Sequence, residues 1–175
     1  KISGAIFGAL VGDAFSLGGH WEYNTEAIKQ QFPDLNGFED PMTKYHGDKK
    51  AGDFTHYGDQ TFWLWQSIQK EGNYSIEAYM QMWQEKMQSY NGYVDGASKA
   101  TLANLASGSA TLNTGSDSQD FSPIGRIAVL LSLDLDEKSF REKSVEVVKA
   151  THNAPMLLEA VDLMAMFVYR VAGGE

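Results

Sequence analysis

The chain has 175 residues, no cysteine, and 23 acidic against 14 basic residues, for a formal net charge of −9. A chain of this length buries roughly 70% of the surface its unfolded form exposes, enough for one domain spanning residues 1–175 with its own core. The charge leaves no basic patch for a nucleic-acid backbone, and the lack of cysteine excludes thiol nucleophiles, thiolate metal sites and disulfides while suiting a reducing, cytoplasmic compartment.

Along the chain, apolar residues recur with helical spacing. Residues 3–17 carry Gly4, Ala5, Gly8, Ala9, Gly12 and Ala14, small residues that let a backbone approach its neighbours, so the segment reads as a central buried helix held by packing rather than propensity. Its apolar run, residues 2–12, is too short to cross about 30 Å of hydrocarbon and has no signal-peptide cleavage pattern, so no membrane partner is expected. Asp13 interrupts this helix. A carboxylate there must be hydrogen-bonded, paired or metal-bound, because burying it alone costs several kcal/mol. The glycine pair Gly18-Gly19 then leads into His20-Trp21-Glu22-Tyr23, either a helix stop with surface aromatics or an ionisable wall of a site.

Residues 33–57 lose periodicity and form a long loop, a candidate wall or lid. His56-Tyr57-Gly58-Asp59-Gln60-Thr61 precedes a helix expected over residues 62–70, with two readings. Asp59 is a good N-cap; alternatively Asp59, Gln60 and Thr61 supply oxygen ligands of the kind Mg²⁺ accepts. Residues 75–90 place Ile76, Tyr79, Met80, Trp83 and Met87 on one helix face. The cluster Asn91 to Lys99 follows, then a polar stretch, residues 108–119. Ser122-Pro123 is a helix start with Arg126 one turn in. Phe140, Ser144, Val147, Val148 and Thr151 repeat the helical spacing, His152 sits at a helix end, and Pro155 opens a final apolar helix over residues 155–172, with Gly173 as its stop. No run alternates with period two for long enough to suggest a sheet. A loop and a helix N-terminus facing an anion are what a diphosphate ligand requires.

Together these clusters resemble the ADP-ribosylglycohydrolase superfamily, most closely its crystallin-J-like branch. The matching stretches are Gly4-Ala5-Ile6-Phe7-Gly8-Ala9-Leu10-Val11-Gly12-Asp13-Ala14, Tyr57-Gly58-Asp59-Gln60-Thr61, Asp95-Gly96-Ala97-Ser98, Ser122-Pro123-Ile124-Gly125-Arg126-Ile127-Ala128 and Thr151-His152-Asn153-Ala154-Pro155, in family order across nearly the whole chain. The resemblance implies an all-α orthogonal bundle, of which this chain would be the N-terminal half, with a cleft for Mg²⁺ and ADP-ribose. It assigns Asp59, Gln60 and Thr61 to the metal, Asp13, His20 and Glu22 to catalysis or its support, and Asp95, Gly96, Ser98, Ser122, Gly125, Arg126 and His152 to the ADP-ribosyl ligand.

Two departures stand against turnover. Where active members carry Thr-Asp-Asp-Thr, this chain has Gly58, Asp59, Gln60 and Thr61; where they carry a water-activating glutamate after the Gly-Asp-Ala motif, it has His20, with Glu22 two residues on. The family completes its metal site with a C-terminal Asp-x-Asp-Thr motif that has no counterpart here. The leading expectation is a Mg²⁺-dependent hydrolase of a glycosidic bond to ADP-ribose, with metal binding weak or lost. The rivals are a non-catalytic crystallin-J-like protein that keeps the fold and ligand binding, and a helical interaction module. A chain that starts at Lys1 and stops just after the helix 155–172 is also expected to continue beyond Glu175, and to self-associate through that helix, whose Leu157, Leu158, Val161, Met164, Ala165 and Val168 need a partner.

Overall fold

The computed structural model describes residues 2–34 and 36–174. It is an all-α structure, as the periodicity requires, and among the described residues the one strand-like pairing is an isolated parallel bridge between Ser116 and His152. Among the described residues the helices are α1 (Ile2–Ser16), α2 (Thr25–Gln31), α3 (His56–Glu71), α4 (Ile76–Gln88), α5 (Gly96–Ala106), α6 (Arg126–Leu130), α7 (Glu137–Lys149) and α8 (Pro155–Gly173). Short 3₁₀ turns at Leu17–Gly19, Lys44–His46, Thr111–Asn113 and Ser122–Gly125 join them.

Helix starts follow the capping chemistry of the sequence. Asn24, Thr55, Ser75, Asp95 and Asp136 each accept a backbone N–H from the first turn of α2, α3, α4, α5 and α7 respectively, and proline occupies the first turn of α8. Gly72 ends α3 in the left-handed conformation, φ 69°, where a side chain would be strained. The α7 terminus is finished from outside. Its late carbonyls would be orphaned, and the polar loop after α5 supplies the donors: Thr114 Oγ1 to Ala150 O, Ser116 N to Thr151 O, and Thr101 Oγ1 on α5 also to Thr151 O. The loop comes so close that a Cβ on Gly115 would lie 2.2 Å from Lys149 O.

The core is built by α3, α4, α6, α7 and α8. Trp83, Tyr79, Leu64, Phe140, Val147 and Leu130 are almost wholly buried in one continuous cluster. The face read from residues 75–90 is buried as expected: Ile76, Tyr79, Met80, Trp83 and Met87. The short α6 passes through the middle, with Ile127, Val129 and Leu130 buried among its neighbours.

Three expectations change. Helix α1 is not central: only Ile6, Leu10 and Ala14 are buried, one row at i, i+4, i+8 laid on α3 and α6. Phe7 and Val11 are half exposed, and a Cβ added at Gly4, Gly8 or Gly12 would meet nothing within 4 Å. By length and composition Ile2–Gly19 could cross a membrane, contrary to the estimate from the shorter run; the core helix of a soluble protein passes the same test. The apolar row of α8, in turn, has a partner inside the chain. Leu157, Val161 and Ala165 are buried, Leu158 and Val168 pack on the core, and α7 and α8 share the most extensive helix–helix interface; Met164 stays 39% exposed.

An exposed helical glycine with free space around it should accept a methyl group with profit. We expect Gly8→Ala to raise stability by about 0.5–1 kcal/mol in thermal or denaturant unfolding. A loss of stability would mean that α1 is packed on this face.

Candidate functional site

The first turn of α3 gathers most of the chemistry. Asp13, on the apolar α1, solves its burial by taking the donors of Thr55: its Oδ2 accepts Thr55 N at 2.8 Å and its Oδ1 accepts Thr55 Oγ1 at 2.7 Å. Thr55 also caps α3, its Oγ1 accepting Tyr57 N at 3.1 Å. The carboxylate thus lies against the positive end of α3, where an anion is favoured. A Cβ on Gly58 would fall 2.0 Å from Asp13 Oδ2. The glycine that stands where the family resemblance calls for threonine is therefore required by this close approach. Burial raises the Asp13 pKa above the usual carboxylate value, Thr55 opposes that shift, and the charge of Asp59 adds to it.

Thr55, and not Asp59, is the N-cap, so α3 begins six residues earlier than expected and Asp59 lies within its first turn. Asp59 Oδ2 accepts both Lys49 Nζ at 2.6 Å and Tyr90 Oη at 2.5 Å. Burial, followed by the charge of Asp59 and the hydrogen bond to it, pushes the Tyr90 phenol far above its ordinary pKa, so Tyr90 keeps its proton and donates. The Lys49 and Asp59 side chains are 17% and 15% exposed, a largely desolvated ion pair reaching from the long loop to the helix.

One residue along, helical rotation turns Gln60 the other way, into the core. Its Oε1 accepts Trp83 Nε1 at 2.8 Å and an Arg126 guanidinium N–H at 2.7 Å, and its Nε2 donates to Ser98 Oγ at 3.4 Å. Arg126 is 2% exposed. Its other amino group donates to Thr151 Oγ1 at 2.7 Å, and Val147 O lies at 3.5 Å. The guanidinium thus has neutral oxygen partners, stands over the Tyr79 ring at 5.9 Å, and leaves its Nε unbonded. Thr61 Oγ1 bonds back to Tyr57 O.

The remaining residues flank this centre. Asp95 caps α5 through Ser98 N at 2.6 Å and faces the buried His56, whose Nε2 is 3.4 Å from Asp95 Oδ2. Although burial opposes ionisation, the His56 contact and the Ser98 donors bring the Asp95 pKa down to about 2. Gly96 is open. Ser122 and its 3₁₀ turn are held by Asp120, whose Oδ1 accepts Ser122 N at 3.0 Å and the Ser122 hydroxyl, and lies 3.5 Å from His152 Nε2. The His152 contact, offset by burial and helped by Ser118 and Ser122, holds Asp120 well below the usual carboxylate range. Gly125 packs next to Thr61, where a Cβ would meet only the hydroxyl at 3.5 Å. His20 stacks on Trp21 beside His46 and His56 and is held neutral, its pKa lowered to about 4 by burial and then by the two neighbouring imidazoles. Glu22 turns away to accept Asn24 N at 2.8 Å.

The structure therefore joins Asp13, Asp59, Lys49 and Tyr90 on one side of α3 and Gln60, Ser98, Arg126 and Thr151 on the other. His56 with Asp95, and His152 with Asp120, stand at the flanks, and Glu22 stays apart. Lys49, Tyr90, His56 and Asp120 were not singled out as site residues in the sequence. Among the described residues no group of three His, Cys, Asp or Glu is placed to hold a metal ion. The family profile that matches is that of the ADP-ribosylglycohydrolases, over residues 1–175. No curated protein matches the chain.

Two measurements probe the centre. Gly58→Ala must push Asp13 off the α3 terminus, so stability should fall by about 2–3 kcal/mol; an unchanged midpoint would mean the approach is looser than drawn. For the imidazoles, the folded pKa of His20 lies below the unfolded value near 6.5, and burial also lowers that of His46. The unfolded chain therefore binds protons that the folded one refuses, and stability present above pH 6.5 is lost as pH falls toward 4. Asp13, with its raised pKa, works in the opposite direction at the acid end of this window, and Asp95 and Asp120 lose their contribution only below about pH 4. We expect the melting temperature to fall between pH 7 and 5, and less steeply in His20→Phe; equal slopes in the two proteins would contradict the assignment.

Proposed function

The chain belongs to the ADP-ribosylglycohydrolase family, whose chemistry is glycosidic hydrolysis, and on that premise we propose that it binds an ADP-ribosyl group around the first turns of α3 and α5 while its Mg²⁺-dependent turnover is weak or lost. The observation that carries this reading is the Lys49 to Asp59 ion pair at 2.6 Å. Mg²⁺ takes six oxygen ligands in near-octahedral geometry and gives up water reluctantly, so a site needs several free carboxylate oxygens or a bound phosphate. The donor set assigned to it from sequence does not fit. Asp59 Oδ2 is shared by Lys49 and Tyr90 and Gln60 Oε1 by Trp83 and Arg126, which leaves Asp59 Oδ1 and the oxygen of the Thr61 hydroxyl, itself donating to Tyr57 O, too few ligands for the ion. An ammonium already supplies the positive charge that two neighbouring aspartates call for.

The ligand half of the reading has different support. The α5 terminus has an open Gly96 and an exposed Lys99 one turn on, which suits the anionic diphosphate of the ligand. Arg126, Ser98 and His152 are too buried to touch a ligand, and in this reading they shape the surface from behind. Self-association is a further part of the proposal, now through the exposed Phe7 and Val11 of α1 and Leu163 and Phe167 of α8.

A second reading, Mg²⁺-dependent hydrolysis, is favoured by the proximity of Asp13 and Asp59, close enough for the charge of one to raise the pKa of the other. Calorimetry with ADP-ribose and a hydrolysis assay on ADP-ribosylated peptides, with and without Mg²⁺, separate the two. We expect binding that is indifferent to Mg²⁺, hydrolysis at background, and a gain of Mg²⁺ response in Lys49→Met. Fast Mg²⁺-dependent release by the unaltered protein would establish the second reading, and no ADP-ribose binding would leave a helical interaction module.

A further inference from the structure

Outside the α3 centre, the chain builds an aromatic box that the ADP-ribosyl reading does not use. Trp21, Tyr45 and Tyr93 are mutually near-perpendicular, with interplanar angles of 84°, 78° and 80° and ring centroids 5.5, 4.4 and 6.1 Å apart. With Tyr23 they line a cavity of about 250 Å³ that contains no charged side chain in its wall. Three perpendicular planes with centroids this close form the corner of a box. A small cation seated in the cavity they line would lie within about 6 Å of the ring centroids, the range over which an aromatic ring attracts one.

The orientation of Trp21 is imposed. It is the one described non-glycine residue with a positive φ, 64°, a conformation that is uncommon for a bulky side chain and persists only where surroundings enforce it. His20 and His46 enforce it: their rings stack on the indole at 4.7 and 5.4 Å and lie 4.9 Å from each other, too close together to sit on opposite faces. Both imidazoles therefore back one face of the indole, the tilted His56 ring stands 5.1 Å from Trp21 and 5.5 Å from Tyr93, and the part of the indole these three leave uncovered lines the cavity. Tyr23 and Tyr45 are 85% and 54% exposed, a large expense of aromatic surface on the outside of a protein. Two further facts bear on the sign of the ligand charge. The chain carries a net charge of −9, and Lys99 Nζ already stands 5.8 Å from the Tyr93 centroid, so that ring accepts a cation in the folded protein, while among the described residues no cation stands over Trp21, Tyr23 or Tyr45.

We propose that Trp21, Tyr23, Tyr45 and Tyr93 form a binding site for an alkylated ammonium group. Stacking of a neutral flat ring is a poorer fit, because perpendicular walls offer such a ring one parallel face at a time, whereas a small tetrahedral cation meets all of them. Lys99 shares Tyr93, so most of the binding falls to the other three rings.

The test compares choline with its uncharged isostere 3,3-dimethylbutan-1-ol by calorimetry on the full chain. Shape and apolar area are matched, so only the charge differs, and we expect choline to bind at least tenfold more tightly, the ratio that a modest cation–π gain gives. Trp21→Gly should abolish the difference; glycine suits the positive φ, so this variant keeps the fold, as circular dichroism will check. Tyr45→Phe, which keeps the ring face and removes the hydroxyl, should bind choline within about twofold of the unaltered protein. Equal affinity for the two ligands would reduce the box to an apolar cleft, and no choline binding would overturn the proposal. ADP-ribose titrated into the same proteins is an independent readout: failure of the ADP-ribosyl reading leaves the choline result unaffected, and the reverse.

Discussion

A carboxylate on an apolar helix has few places to go, and the resolution of that constraint at Asp13 organises the rest of the site. Asp13 takes both donors of Thr55, which fixes where α3 starts and presses α1 against its first turn. The approach leaves no room for a Cβ at position 58. It also brings Asp13 beside Asp59, and two carboxylates at one helix terminus need compensating charge. In this chain Lys49 provides it, and the neutral Tyr90 phenol adds a hydrogen bond. The glycine, the lysine contact and the short phenol hydrogen bond thus follow from one half-buried charge.

On the far side of the same helix turn, a fully buried charge sets the core. Arg126 has no carboxylate among its hydrogen-bond partners; Gln60 and Thr151 answer it with neutral oxygens, and Trp83 and Tyr79 close around them. A carboxylate at position 60 would make an ion pair with this guanidinium; the amide gives it a neutral hydrogen bond instead. Buried charges of this kind tolerate loss of a partner poorly. Of the residues that the family resemblance assigns to ligand binding, Asp95, Ser98, Arg126 and His152 are buried.

The helices were legible where one face differed from the other. The pattern Ile76, Tyr79, Met80, Trp83, Met87 has a polar side, and the burial follows it. Helix α1 has glycine and apolar residues all round, a composition that reads as buried on every side, so its exposed face could not be seen. The start of α3 was hidden because its first turn, His56 to Thr61, is polar like a loop, while the cap that begins it, Thr55, makes its longest-range bond to a residue 42 positions away. Lys49 and Tyr90 meet Asp59 across 10 and 31 residues, contacts that no local pattern encodes. The opposite aims of Asp59 and Gln60 were within reach of sequence, since neighbours on a helix are rotated by 100° and cannot serve one site equally.

The account depends most on Lys49 acting as the permanent counter-ion of Asp59. Nuclear magnetic resonance of ¹⁵N-lysine ammonium groups tests this directly, because an ammonium locked in a desolvated ion pair exchanges its protons slowly enough to give a cross-peak, while solvated lysines do not. The account predicts one such protected signal that disappears in Asp59→Asn and is unmoved by Mg²⁺. A Lys49 ammonium that exchanges freely, or one that is released when Mg²⁺ is added, would contradict it.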